Sequence, residues 1–576
     1  MSTDTVVDDN LSIQSENNAG KRVVYCTKVF FKQLIERKPM DKLQAEIDTR
    51  NELRRDLSWI QLLAIGLGAT IVLFSGIGIF VLSGQAAAKY SGPSVIISFV
   101  VAGVIALLSS LSYSELGAMM PSSGSVYTYT YAALGEYLAW FIGWNSALLY
   151  LFGVLTVSVA WSKQVILFFN IVSNFNATTV LLGTPLYWDE YTENFYFTGQ
   201  AINLLAIGII IAITILLIIQ IQQMAIFNLV LVMFKIIILL IFIFACCSYV
   251  NLNNYHPFFP SNKGSFSEYG VTGMLQACTY IFFAYVGFDS VSTVAQEARS
   301  PQSSLPIATI GSTIVSLLLY IGICTVMVGL VRYDLLNSDS PLSQAIKATP
   351  YGLWLSILMD LGAIAGLTTV ALTMMLSQTR IFYAMAHDGL LPPIFTKIHK
   401  TTITPWISTI ISGEYSLCTI YKLIVIWIFL GVFSAIFSGI CPVDILGKTT
   451  SISALITYIF VHVTVIVMRY THRDMQRPFE VPFGPWLIPT IGSLLCVLLM
   501  TSVTKATVYR FLVWTAIGQV LYFSYGFWYS KRRKLFRNES NLNRIELLPT
   551  ISNAMEQHIQ NEVELDLASE DTESKE

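Results

Sequence analysis

The sequence predicts an all-α polytopic membrane protein of about twelve transmembrane helices, and three observations lead there. Charge is scarce: 54% of the 576 residues are hydrophobic and 12% charged, against roughly 25% charged in ordinary soluble domains. The charges are also segregated, with 20 of the 70 in residues 1–56 and 17 in 529–576, leaving 33 in the 472 residues between. Through that middle, apolar runs of about 20 residues recur, the length that carries a helix across a bilayer. Soluble enzymes, nucleic-acid binders and peripheral proteins are excluded, and β-barrel strands would read as short alternating segments instead. The division expected is a cytosolic N-terminal segment (1–58), a transmembrane domain (59–528) and an acidic cytosolic tail (529–576).

In chain order, the spans are expected at 59–82, 94–116, 137–160, 201–221, 225–247, 272–297, 306–331, 355–377, 405–441, 449–468, 486–504 and 509–528. No signal peptide is expected, because the first 20 residues are polar and the first apolar segment is already a full span. An even number puts both termini on one side. Lys and Arg concentrate on that side, between Lys21 and Arg55, at Arg299, Arg380, Lys397, Lys400, Arg469, Arg473 and Arg477, and in Lys531 to Lys534. The positive-inside rule makes it cytosolic. The sequon at Asn176 then lies on the outer side, open to glycosylation. The segment 405–441 is nearly twice a bilayer and contains Glu414 and Lys422. We expect one crossing there plus an 18-residue excess, Glu414 to Gly431, that reads as retained intron sequence or as an overlong helix. The eight cysteines and six histidines show no paired spacing, so no disulfide framework and no metal site is expected.

Glycine interrupts two spans in corresponding positions: Gly66, Gly68, Gly76 and Gly78 in the first, Gly287 within Phe282 to Asp289 in the sixth. These two spans open the halves of a five-plus-five inverted repeat, followed by two C-terminal helices. Breaking both helices at the midplane exposes N–H groups to an anion and carbonyls to a cation, and an α-amino acid carries one of each. The competing reading is that membrane-helix glycines only allow close packing. Asp289 begins the second half of the sixth span and is expected to cap it, while Asp360 is expected at an interface.

The stretch FFAYVGFDSVSTVAQEARSPQSSLP at 282–306 resembles the signature of the cationic amino acid transporter family, within the amino acid, polyamine and organocation superfamily. So do RKPMDKLQAE at 37–46, SYSELGAMMPSSGSVYTYTY at 112–131, QTRIFYAMAHDGLLP at 378–392 and RPFEVPFGPW at 477–486, all in family order. The resemblance implies that Gly76, Ile77 and Gly78 bind the substrate carboxylate through N–H groups, that the carbonyls of Phe283, Ala284 and Val286 take the α-ammonium, and that Phe288 gates the site. It implies a transport role for Glu115, whose place near the cytosolic end equally suits a structural partner of a loop N–H or a basic residue. Two departures stand out. Val72 to Ser75 look like four extra residues in the first motif, and Leu149 stands where relatives carry glutamate or a small polar residue.

Lys235 lies ten residues inside the fifth span, where a charge costs at least about 2.5–3.5 kcal/mol on insertion scales. Something must offset that. The resemblance implies that its ammonium reaches the unwound first span where sodium-coupled relatives hold an ion, and leaves proton coupling open. A fixed charge pairing helix-end carbonyls is the structural alternative.

The function expected is secondary-active transport of amino acids, foremost arginine, lysine and ornithine, by alternating access driven by membrane potential or protons. A neutral amino acid transporter or an amino acid sensor on the same scaffold is the alternative. An enzyme is not expected, since HExxH and GxGD are absent, and neither is a cofactor or a nucleic-acid partner. The plasma membrane is the expected site, with a vacuolar or lysosomal membrane as alternative.

Overall fold

The computed structural model describes residues 30–49, 55–71, 83–173, 186–189, 194–197, 203–219, 221–264, 268–337, 341–396, 443–503 and 505–534. Gly76, Ile77, Gly78 and the sequon Asn176 lie outside the described residues, as do Val72 to Ser75 and the overlong segment 405–441.

After α1 (Met40–Thr49), the first transmembrane helix begins at α2 (Trp59–Thr70). Ser58 and Gln61 form a capping box there, the side chain of each satisfying the other's backbone N–H. The next described helix, α3 (Gly84–Ala86), widens into the π-turn Ala87–Ser91, past the expected end at 82, before Gly92 and Pro93 turn the chain. Then come α4 (Val95–Met119), α5 (Val126–Leu134) and α6 (Glu136–Ser173). At 38 residues, α6 is about 57 Å long and outruns the bilayer. A small antiparallel hairpin pairs Leu186–Asp189 with Asn194–Phe197, and α7 (Leu204–Ile219) and α8 (Ile221–Cys247) follow.

The sixth transmembrane helix is broken. α9 (Gly270–Phe282) passes into a 3-10 turn at Phe283–Tyr285, Val286 is extended, and α10 (Ser290–Thr293) restarts the helix before a second 3-10 turn, Ala295–Glu297. The remaining helices are α11 (Pro301–Leu330), α12 (Pro341–Lys347), α13 (Gly352–His387), α14 (Val443–Thr471), α15 (Leu487–Met500) and α16 (Lys505–Leu521).

Among the described residues seven helical stretches are long and apolar enough to cross a membrane, or up to eight if the bent pair Leu487–Met500 and Lys505–Lys534 is one span; two shorter apolar helices are Trp59–Thr70 and Leu204–Leu217. The helical polytopic class stands. The expected twelve crossings are not all matched among the described residues, because residues 72–82 of the first and all of the ninth lie outside them. Exposed Phe, Leu, Ile and Val side chains such as Phe234, Phe244, Leu318 and Leu494 cover the perimeter, as lipid contact requires. Inside, Trp144 stacks on Trp514 at 4.7 Å and 14°, and the indole N–H of each reaches the other's carbonyl at 3.0 and 3.3 Å, fastening α16 to α6.

The N-terminal arm is packed, not a tail. Residues 30–35 form a helical turn, and Gln33 donates to Glu136 at 3.2 Å and to the Phe527 carbonyl at 3.0 Å. The arm passes so close to Gly135, whose φ is +105°, that a Cβ there would lie 2.5 Å from the Ile35 oxygen; only glycine fits. Lys38 then reaches Asp388 at 2.8 Å and Glu46 at 2.9 Å, while the Tyr127 hydroxyl donates to the other Asp388 oxygen at 2.9 Å. Glu46, His387 and Asp388 are spaced as metal ligands could be, but the Lys38 ammonium lies between the two carboxylates. Burial disfavours that ammonium, yet the charges of Asp388 and Glu46 outweigh it and raise its pKa. Burial would likewise push the Asp388 carboxyl up, but Lys38 and a hydrogen bond from His387 hold it well below the usual carboxylate range.

A carboxyl depressed in the folded state contributes stability above its unfolded pKa of about 3.9, and that contribution fades as pH falls toward the depressed value. Docking of the arm is therefore expected to be constant from pH 5 to 8 and to weaken below about pH 4. Asp388→Asn is expected to loosen it at neutral pH by about 3 kcal/mol, the low end for breaking a buried pair. Hydrogen exchange of residues 30–49 measures both, and unchanged protection in Asp388→Asn would show that the pair does not hold the arm.

Candidate substrate site at the paired helix breaks

The described end of α2 meets the break in the sixth helix. α2 ends at Thr70, and the Ile71 N–H reaches the Leu67 carbonyl at 3.0 Å. The Tyr320 hydroxyl of α11 lies 2.7 Å from the Thr70 oxygen and 2.8 Å from the Ala284 oxygen, so one donor joins the end of α2 to the break in the sixth helix. Gly287 sits in the second break with φ +127°, and a Cβ there would come within 2.8 Å of the Ala69 backbone. A side chain would be strained and would push the sixth-helix break away from α2. Gly287→Val is expected to lower stability by about 1–3 kcal/mol from backbone strain alone and to abolish ligand binding; wild-type thermal stabilisation by ligand in that variant would refute the assignment.

Lys235 is 3% exposed on α8, and its Nζ donates to the carbonyls of Leu67 at 3.0 Å and Gly68 at 3.3 Å, with the Thr369 hydroxyl of α13 also at 3.3 Å. Asn228, two turns earlier on α8, donates to Ala64 O at 3.0 Å. The ammonium thus sits on the negative end of α2, where a helix favours a cation. It makes the contacts of a fixed charge at helix-end carbonyls, the structural alternative that the sequence allowed.

Phe283, Ala284, Val286 and Phe288 are all buried at the second break. The Phe283 carbonyl takes the Val286 N–H at 3.2 Å and the Ala284 carbonyl takes Tyr320, so each keeps one lone pair for a ligand. Phe288 packs edge-on against Tyr113 at 5.7 Å and against Tyr458 at 5.2 Å. The buried Tyr113 hydroxyl has no hydrogen-bond partner among the described residues, a polar group left for water or ligand.

Asp289 does not cap α10. Its own φ and ψ are helical, −65° and −21°, and its side chain makes no capping bond. One carboxylate oxygen instead accepts the Gly287 N–H at 3.1 Å and the other accepts the Tyr150 hydroxyl of α6 at 2.6 Å. The carboxylate therefore braces the break to α6. Tyr150 is the neighbour of Leu149, which is fully buried; the motif was visible in sequence, the pairing was not.

Glu115 lies on α4, away from the breaks. It accepts Arg469 Nε at 2.8 Å and Nη2 at 2.5 Å, and the Val481 N–H at 2.8 Å. These are the basic partner and the loop N–H that the structural alternative named. Asp360 is 5% exposed, inside α13, and accepts Gln164 of α6 at 2.8 Å. Arg380, counted above among loop cations, is buried in α13 and paired with Glu297. Tyr320, Thr369 and Tyr150 were missed, since a single hydroxyl in an apolar span carries no sequence signal of what it faces.

The model of a family described as amino acid permease matches residues 57–529. The branched-chain amino acid permease BcaP of Bacillus subtilis (strain 168) is 35% identical over 86% of this chain and 98% of its own length. The methylthioribose transporter of the same organism is 33% identical over 85% of the chain and 97% of its length. Cationic amino acid transporter 2, vacuolar, of Arabidopsis thaliana is 32% identical over 78% of the chain and 65% of its length. These relatives are transporters, and the chain belongs with them to the amino acid permease family.

Proposed function

We propose that this permease imports cationic amino acids, arginine, lysine and ornithine, by alternating access without sodium. The observation that carries the reading is the Lys235 ammonium on the Leu67 and Gly68 carbonyls, a built-in charge where a coupling ion would otherwise be needed. Gly76, Ile77 and Gly78 hold the carboxylate, the carbonyls of Phe283, Ala284 and Val286 hold the α-ammonium, and Phe288 gates. At about 2.3 kcal/mol per charge per 100 mV, the membrane potential alone concentrates a monovalent cation on the order of 50-fold; proton coupling is the other driving force in this reading. Both termini face the cytosol, the membrane is the plasma membrane, and Asn176 is glycosylated on the outer side. Buried, apolar Leu149 and the similarity to BcaP favour a second reading, in which the substrate is a neutral branched-chain amino acid.

Radiolabelled arginine, isoleucine and alanine uptake in a transport-deficient cell, with and without sodium and with a protonophore, separates the two. Potential-driven arginine uptake indifferent to sodium supports the first reading. Isoleucine uptake that arginine does not inhibit overturns it in favour of the second.

A further inference from the structure

Asp360 is a buried carboxyl group that the substrate site does not use. It precedes Thr369 on α13 by nine residues, about 14 Å along the helix and toward the end opposite Asp388. One oxygen, Oδ1, accepts the Gln164 amide of α6 at 2.8 Å. The other, Oδ2, is buried with no hydrogen-bond partner among the described residues. Neutral groups hold the surrounding seam: the Trp161 indole N–H donates to the Thr368 hydroxyl at 3.1 Å, and the Asn203 amide donates to the Ser162 hydroxyl at 2.6 Å.

The charged groups on the elements packed against α13 do not answer this carboxyl. Lys163 of α6 and Lys347 of α12 are exposed, and Lys235 of α8 is engaged by the Leu67 and Gly68 carbonyls and by Thr369. α2 and α7 carry no ionisable side chain. Tyr249 and Tyr351 meet edge to face at 5.7 Å near the start of α13, while Glu136, Asp289, Arg380 and His387 lie toward the Asp388 end. A carboxylate withdrawn from water with one neutral amide donor and no cation is far less favourable than the neutral acid. We propose that Asp360 is a proton-binding site of the transporter: Oδ2 takes a proton from water as the seam between α6 and α13 closes and returns it to water when the seam is hydrated, so that uptake rises as the pH falls. This rests on the transport reading above and names a group for the proton which that reading allows.

The first readout needs no transport. The purified full-length protein in phosphatidylcholine nanodiscs is compared with Asp360→Asn by infrared spectroscopy at pH 7, where a protonated carboxyl gives a C=O stretch that a carboxylate lacks. The difference spectrum is expected to contain that band; carboxylate bands alone overturn the proposal. Proteoliposome uptake of arginine and isoleucine from pH 5 to 8 tests the consequence. Wild-type uptake is expected to fall toward pH 8, by at most about tenfold per pH unit for one titrating group. Asp360→Asn, a fixed neutral side chain that keeps an oxygen for Gln164, is expected to flatten the profile, and Asp360→Glu to restore it. A pH-independent wild type, or an Asp360→Asn profile like that of wild type, overturns the proposal. So does an Asp360→Asn protein that folds yet loses net uptake and substrate exchange together, which marks a role in holding α6 to α13 alone. If neither amino acid enters at any pH, the transport reading fails and the infrared band by itself decides the proton site.

Discussion

Lys235→Met is expected to abolish amino acid uptake while leaving the protein folded in the membrane. Two terms of similar size oppose one another in the stability of this residue. Removing the ammonium relieves an insertion cost of at least about 2.5–3.5 kcal/mol. It also deprives the Leu67 and Gly68 carbonyls of a charged donor, and hydrogen bonds to charged groups contribute about 1.5–3 kcal/mol each. The net change in stability is therefore small. What is not compensated is the field at the break: Thr369 donates to the same Gly68 oxygen at 3.3 Å, but a hydroxyl brings no charge to the negative end of α2. A transporter that must loosen and re-form these contacts in each cycle then has no cation to move between states. Uptake in proteoliposomes, with surface expression and thermal midpoint as controls, measures this. Transport by Lys235→Met at the wild-type rate with unchanged pH dependence would reduce the ammonium to a packing role.

The features legible in sequence were those whose signal is a bulk property or a strong local cost. Scarce charge and apolar length gave the helical membrane class; glycine in the sixth span pointed to the break that Gly287 and Tyr320 hold against α2; a lysine deep in an apolar run demanded a partner. The misreadings come from rules that see only neighbouring residues. Asp at a helix start suggests a cap, but a carboxylate flanked by Tyr150 and a Gly287 N–H has better partners across the fold. Positive-inside counting treats every cation near a span end as a loop charge, yet α13 runs on to His387 and takes Arg380 inside. Hydropathy ended the third span at 160, because Lys163 and Gln164 interrupt it, whereas Gln164 continues the helix by bonding Asp360. The N-terminal arm gave no sign of its docking for the same reason. Its motif RKPMDKLQAE, together with those at 112–131 and 378–392, converges on Lys38, Tyr127 and Asp388, and motifs far apart in sequence do not announce which of them will touch.

Arg380→Leu is expected to produce a large loss of stability, and Arg380→Leu combined with Glu297→Leu to recover most of it. The two side chains are each 2% exposed and form an ion pair. Glu297 ends the 3-10 turn that closes the sixth transmembrane helix. The Leu57 N–H donates to the Glu297 carbonyl at 2.9 Å and the Arg299 N–H donates to the Leu57 carbonyl at 3.0 Å, so the same turn anchors the entry to α2. Removing one partner leaves a buried uncompensated charge at a cost of about 3–5 kcal/mol, whereas replacing both with apolar residues is often neutral or stabilising. A loosened turn would release α2 and the sixth transmembrane helix on the terminal face, so the single variant is also expected to lose uptake. Thermal unfolding of the detergent-purified variants measures the cycle. A single substitution costing less than about 1 kcal/mol, the range of an exposed pair, would show that Glu297 and Arg380 do not hold this joint.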